Sequence, residues 1–478
     1  MGQIKKNIVY STILTFSTYL VPLFVFPYIS RVLGPAYIGA IDTVEYIIDF
    51  CVLCSMMGLT TFGIREIAKN RDNPVFLRQT FTNLFFLNVV TTIIILLLLG
   101  ILMVCSSFFA ERKTLLFIGG LKVIANLFWI EWFFKGMENF KYITLRSVAI
   151  RCLFILSVFL FIHEQVDYIL YYVLWVSVYI LNAVCNWTYK RKYVKLQFNN
   201  ISLKHYAKPF FLLGLFAFFS AVYTQLNVPI LRLLSGNDSQ VAYFTTSVRL
   251  YKVIIALFST LTGVMIPRIS ILVKERRFAE IHELVGKTFK LLFFFSLPVI
   301  VYIEFFAVDV VRIFAGENFD GAVVPMRIAM FMLLIVGTEQ IFILQLLIPL
   351  RKDKEIVYAA IAGMILCLVV SLFLVKQFQS IGSVIVWMLS ELTVLSISSF
   401  WVKKYLNVSF PFKMLVNSVF VSVPYVLIGL LSNMLIINSI IKLIVCGVAF
   451  VVYALFLEYK FYKLGMVVKL KSKLMVLS

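Results

Sequence analysis

Of the 478 residues, 62% are hydrophobic and 14% charged, and the mean hydropathy is +0.98. Soluble domains run at about 45–50% apolar and 25% charged, so this composition excludes a water-soluble enzyme and points to a polytopic helical membrane protein. The net charge is +21, from 44 Lys+Arg against 23 Asp+Glu. In a soluble chain that excess would suggest nucleic acid; in a membrane chain it is the mark of basic loops that orient helices, and no nucleic-acid partner is expected.

Taken in chain order, apolar runs predict fourteen spans: 7–32, 36–62, 81–107, 114–134, 143–162, 166–189, 208–233, 241–267, 286–307, 323–349, 356–376, 380–402, 412–434 and 438–461. Each holds the roughly 20 residues that a crossing helix needs. Met1 to Lys6 are short and basic, and the run after them is long enough to span, so no cleavable signal is expected. With the N-terminus placed in the cytoplasm, 32 basic residues fall on the inner side and seven on the outer. Five, Lys122, Arg151, Arg249, Lys252 and Arg327, fall within spans. That asymmetry predicts both termini inside.

The polar interruption 190–207 separates the first six spans from the rest, giving a first half 1–195, a second half 196–404, and a last pair of spans with a cytoplasmic tail, 405–478. A second interruption, 268–285, is either a basic amphipathic helix on the inner leaflet or an ordinary topology-setting loop. The halves echo each other weakly. PYISRVLGPAYIGA, with GIREIAK one span later, parallels VPILRLLSGNDSQVAYF with PRISILVKE; Arg31 matches Arg232 and Arg65 matches Arg268, at spacings of 34 and 36 residues. Six-helix halves related by an axis along the membrane normal are a transporter design, with the substrate site near midplane.

Ionisable residues within spans are costly, by at least ~2.5–3.5 kcal/mol on insertion scales, and mark cavities or pairs. Asp42, Glu45 and Asp49 lie on one face of the second span by their offsets of three and seven. Repulsion among them would let one carry a proton at neutral pH. The eighth span, repeat partner of the second, carries Arg249 and Lys252, and Arg327 lies in the tenth. One reading is a structural ion pair between an acidic and a basic stripe. The sharper one is a central cavity whose cations, Arg31, Arg249, Lys252 and Arg327, bind an anionic head group while Asp42, Glu45 and Asp49 gate or couple. Glu304, Glu339 and Glu391 have no assigned partner. Glu131, at the end of the fourth span, lies level with Arg146 and Arg151 at the start of the fifth, a structural ion pairing.

No catalytic constellation is present: His163, His205 and His282 are far apart, and neither a phosphate-binding loop nor a clustered metal motif occurs. Cys51 and Cys54 form a CxxC inside an apolar run without a second pair, as apolar filler. The chain is therefore expected to be no enzyme and to hold no cofactor beyond a coupling H+ or Na+. The polar loops are too short for an enzyme domain.

Three stretches resemble one family. Leu20-Val-Pro-Leu-Phe-Val-Phe-Pro27-Tyr28-Ile-Ser-Arg31-Val-Leu-Gly34-Pro-Ala-Tyr-Ile-Gly39 looks like the first helix and turn of the Wzx-type oligosaccharide flippases. Gly58-Leu-Thr-Thr-Phe-Gly63-Ile-Arg65-Glu66-Ile-Ala-Lys69 is similar to the stretch after their second helix. Trp129-Ile-Glu131-Trp132-Phe-Phe-Lys135-Gly136-Met-Glu138-Asn-Phe-Lys141-Tyr-Ile-Thr-Leu-Arg146 resembles their Asp/Glu-Trp…Gly-x-Glu…Arg pattern, with Lys135 where Gln is usual. The resemblance implies the multidrug/oligosaccharidyl-lipid/polysaccharide (MOP) exporter superfamily and an inner-membrane flippase, both termini cytoplasmic. It implies movement of an undecaprenyl-diphosphate-linked oligosaccharide from the inner to the outer leaflet, for O-antigen, capsule or a related polysaccharide. Partners would be that lipid, the membrane, and a polysaccharide polymerase and glycosyltransferases. In the related lipid II flippases, arginines at the end of helix 1 and in helix 8, and an acid in helix 2, matter for function; Arg31, Arg249 and Asp42 sit at comparable places. The last two spans resemble the pair that there forms a groove for the lipid tail. Competing readings are a cation-coupled multidrug antiporter of the same superfamily, a lipid II flippase, and a non-transporting scaffold for glycosyltransferases. The antiporter would favour an acid-dominated cavity and twelve helices.

Overall fold

The structure, a computed structural model, describes residues 2–197, 202–435 and 438–462. The expected tail beyond 462 and part of the 190–207 interruption lie outside the described residues. Among these the chain is all-α, without a strand, and eleven helices are long and apolar enough to cross a membrane. It divides into two compact units, Met1–Ala242 and Tyr243–Ser478, so the first reaches past the interruption at 190–207.

The first unit holds α1 (Gly2–Met56), α2 (Leu59–Asn70), α3 (Pro74–Cys105), α4 (Ser107–Ala110), α5 (Lys113–Trp129), α6 (Glu131–Gly136), α7 (Phe140–Phe161), α8 (Tyr168–Tyr189), α9 (Leu203–Thr224), α10 (Asn227–Ser235) and the start of α11 (Asp238–Lys274). The second holds the rest of α11, then α12 (Phe278–Ala315), α13 (Val323–Gln340), α14 (Asp353–Leu406), α15 (Phe412–Val421), α16 (Val423–Leu435) and α17 (Ser439–Leu457).

Local chemistry sets the breaks. Gly34 (φ 74°, ψ 172°) divides α1 where the first two spans were expected to part. Only glycine takes this conformation freely, and Pro35 then starts the second arm, where its missing N–H costs nothing. Gln379 (φ 51°) divides α14 in the same way, and Gly382 lets the second arm turn back: a Cβ there would lie 2.2 Å from the Leu374 carbonyl oxygen. Asn73 caps α3, its side chain accepting from the N–H groups of Val75 and Phe76, with Pro74 next in line. The 268–285 stretch is neither a separate surface helix nor a long loop. α11 continues to Lys274, α12 starts at Phe278, and Arg276 (φ 56°) turns the chain between them.

One core of the first unit is aromatic. Phe81, Trp132, Phe133, Phe134 and Phe210 are buried together with Leu59, Ile67 and Leu84, so α2, α3, α6 and α9 close on one another. A second close approach joins the second arm of α1 to residues 238–242: a Cβ on Gly39 would sit 1.7 Å from the Asp238 carbonyl oxygen.

Candidate functional site

The acidic stripe meets a cation that the sequence pattern left without a role. Glu45 and Asp49 are met within their own unit by Lys122 of α5, a residue with no assigned role in the sequence reading. The Lys122 ammonium donates to Glu45 Oε1 and, at 2.6 Å, to Asp49 Oδ1. Lys122 is fully buried and its ammonium lies 4.2 Å from the Tyr179 ring centre. Glu45 also accepts from Trp175 Nε1 (2.7 Å) and the Tyr172 hydroxyl (3.1 Å). Gly119 permits this approach of α5, because a Cβ there would lie 2.5 Å from Ile48 Cγ1 and 2.8 Å from the Tyr172 hydroxyl. Two carboxylates thus share one ammonium. Asp42 is also buried, one turn earlier on the helix. The signal for Lys122 was a lone cation inside an apolar span.

Glu131 does not end the fourth span. Ile130 adopts the left-handed region (φ 33°), which a β-branched side chain rarely tolerates, and Glu131 opens α6. The carbonyl freed at Trp129 accepts from Asn186 Nδ2, and Asn186 Oδ1 in turn accepts from Arg146 Nη1. Glu131 accepts from Trp129 Nε1 (2.9 Å), pairs with Lys135 (2.8 Å) and lies 3.8 Å from Arg146 Nη2. Arg151 points elsewhere: its guanidinium donates to the Leu14 carbonyl (3.2 Å) and the Ser17 hydroxyl, tying α7 to α1. A few residues on, Glu138 pairs with Arg71 at the end of α2 (2.8 Å), and that bond holds the Arg71 guanidinium above its ordinary range.

A third cluster caps the same unit. Asp238 accepts from Arg232 Nε (2.7 Å) and from Arg112 Nη2 (3.2 Å to each oxygen), beside a cavity of about 500 Å³ that Tyr37 and Tyr168 also line. The Arg112 side chain is 7% exposed. Asp238→Ala would leave two close guanidinium groups with one fewer carboxylate. The expected loss is about 1.5–3 kcal/mol, read as a lower unfolding midpoint of the purified protein in detergent. Arg31 is exposed, and its guanidinium donates to the Pro27 carbonyl one turn back.

In the second unit Arg249 is half-buried and Lys252 exposed on α11. Arg327 Nε lies 3.9 Å from Glu304 Oε2, linking α13 to α12. Glu391 is buried and accepts from Trp387 Nε1 (2.9 Å), and the carboxyl of Glu339 abuts it. The α17 end is fastened to α12 by Lys442 with Asp309 (3.3 Å) and by the Tyr302 hydroxyl on the Leu443 carbonyl (2.9 Å). Beside these helices an apolar cavity of about 450 Å³ is lined by Ile254, Phe294, Pro298, Tyr302 and Phe450. Among the described residues no group of three or more His, Cys, Asp or Glu could hold a metal ion.

The sequence model of the family described as "Polysaccharide biosynthesis protein" matches residues 4–273, more than half of the chain. The chain belongs to that family. A relative from Escherichia coli (strain K12) named "Putative O-antigen transporter" is 23% identical over 422 residues, covering 84% of this chain and 97% of its own. Among solved structures, the lipid II flippase MurJ in its inward closed conformation matches with a TM-score of 0.75 at 13% identity, over 95% of this chain and 99% of that one. An inward-facing multidrug resistance MATE transporter of the MOP superfamily matches at 0.67 and 15% identity, over 84% and 98%. At these identities the two structures show a shared fold, that of MOP superfamily transporters. This family member is thus a multi-pass membrane protein with a transporter fold, not that of a catalytic enzyme.

Proposed function

We propose that the chain is a flippase carrying an undecaprenyl-diphosphate-linked oligosaccharide from the inner to the outer leaflet of the bacterial cytoplasmic membrane by alternating access, with fourteen crossings and both termini inside. The family match over residues 4–273 carries this reading. The physics supports it. A diphosphate and several sugars would strand many polar groups in hydrocarbon, each costly without a partner, so a protein path is required. Arg31 in the first unit and Arg249, Lys252 and Arg327 in the second are the proposed head-group ligands, since the planar guanidinium fork fits two phosphate oxygens. The apolar cavity beside α12 and α17 would take part of the polyprenyl tail. Glu45, Asp49 and Asp42 are the proposed groups for a coupling H+ or Na+. Release outside requires weaker binding in the outward state, and cation exchange at such a cluster can supply that difference.

The test is a leaflet assay in proteoliposomes loaded with undecaprenyl-diphosphate oligosaccharide. Wild-type protein is expected to expose the protected inner pool to an impermeant sugar-modifying reagent. Arg249→Ala should slow exposure at least about tenfold, the loss of a charge-assisted contact. Lipid II run in parallel separates the two flippase substrates. A folded wild type that exposes neither pool overturns the reading. A variant as fast as wild type removes Arg249 from the site while leaving the flippase assignment standing.

A further inference from the structure

Between α5 and α8, within the first unit, lies an apolar cavity of about 380 Å³. Its walls follow from helical spacing: Leu121, Ile124 and Phe128 on α5, and Ile180, Val184 and Trp187 on α8, recur at three, four and seven residues. Ala125 and Ala183 are buried between them, and their methyl groups are too short to fill the space that the longer neighbours frame. Leu121, Ile124, Ile180 and Val184 are exposed, so the groove opens on the hydrocarbon around the protein.

One end of the groove is closed by aromatic rings and carries unpaired charge. The Trp187 and Phe128 rings meet edge to face at 5.0 Å, and the Lys190 ammonium lies 3.7 Å from the centre of the Trp187 ring. Lys190 is 5% exposed, yet the tip of its ammonium is accessible and has neither an ion-pair nor a hydrogen-bond partner among the described residues. A lysine buried to this depth is seldom left without an anion, and contact with a ring replaces only part of the lost hydration. Arg191, exposed and four residues beyond Trp187, and Lys192 add two more cations in the same turn, and among the described residues neither forms an ion pair.

We propose that this groove binds one anionic glycerophospholipid, with an acyl chain between α5 and α8 and its phosphate at the Trp187 end, met by Lys190 and Arg191. Charge complementarity selects the occupant. Three adjacent cations without a carboxylate suit a phosphodiester whose head adds no positive charge, whereas a zwitterionic head would bring its own ammonium among them. In the topology proposed above, this end lies in the inner leaflet. Such a lipid is a resident of the membrane and not the transported cargo, so its binding stands or falls apart from the flippase reading.

The test is native mass spectrometry of the full chain in detergent, titrated with phosphatidylglycerol, phosphatidylcholine of the same acyl chains, and undecaprenyl phosphate. Phosphatidylglycerol is expected to bind about tenfold more tightly than phosphatidylcholine. Arg191→Gln and Lys190→Gln should each remove most of that preference and leave phosphatidylcholine binding unchanged. Arg191 is exposed, so its variant decides if the buried Lys190 substitution fails to fold. Val184→Trp, which lays a large ring over the groove, should weaken both phospholipids alike. Lys403 is an exposed cation of the second unit, and Lys403→Gln should leave the preference intact. Equal binding of the two phospholipids overturns the site, as does a preference that survives in folded Arg191→Gln protein or that Lys403→Gln reduces as much. Undecaprenyl phosphate bound more tightly than phosphatidylglycerol would give the groove to a polyprenyl chain and overturn it too.

Discussion

Lys122→Met should destabilise the protein by about 3 kcal/mol, because it strips the buried cation from Glu45, whose side chain is only 13% exposed, as well as from the more open Asp49. Lys122 is fully buried and bonded to both Glu45 and Asp49. The expected readings are a steep fall in the amount of protein recovered from membranes and a lower unfolding midpoint in detergent. Adding Glu45→Gln and Asp49→Asn to the same chain should recover most of the stability, since neutral side chains of the same shape leave no uncompensated charge. Export then divides the two roles of the cluster. A triple variant that is stable and still exports would make these charges purely structural. Stable but inactive protein would assign the acids to the transport cycle. Wild-type stability of the single Lys122→Met variant would show that the three charges are not coupled.

Gly39→Ala is expected to abolish the folded first unit or shift its helices enough to end export. The added Cβ would lie 1.7 Å from the Asp238 carbonyl oxygen, 2.5 Å from its carbon and 3.2 Å from the Ala242 nitrogen. All three are backbone atoms, so no side chain can swing aside, and the cost should exceed the roughly 1–3 kcal/mol typical of overpacking. Gly120→Ala is the control: nothing lies within 4 Å of a Cβ there, and alanine favours the helix by about 1 kcal/mol over glycine. Membrane yield and unfolding midpoint of the two variants should move in opposite directions. A Gly39→Ala protein as stable as wild type would mean that α1 and α11 do not meet as closely as described.

The helical, membrane-spanning class was legible from hydropathy because an apolar run of sufficient length is a local property of the chain, and so were the breaks at Gly34-Pro35 and before the arm that starts at 380. The family was legible in the same way, through the Gly34–Gly39 and Trp129–Arg146 stretches. Partners were not. The sequence placed Asp42, Glu45 and Asp49 on one face, and helical periodicity is enough for that. Which element that face meets is set by how α1 packs on α5, where Gly119 admits Ile48 and brings Lys122 within reach. The same holds for Arg151, level with Glu131 along the chain but hydrogen-bonded to the Leu14 carbonyl and the Ser17 hydroxyl of α1. Sequence alone determined that the chain is a helical membrane protein and which charges are costly there. Only the tertiary structure decided which charge relieves which, because a burial penalty belongs to one residue whereas a pair depends on the contact between two helices.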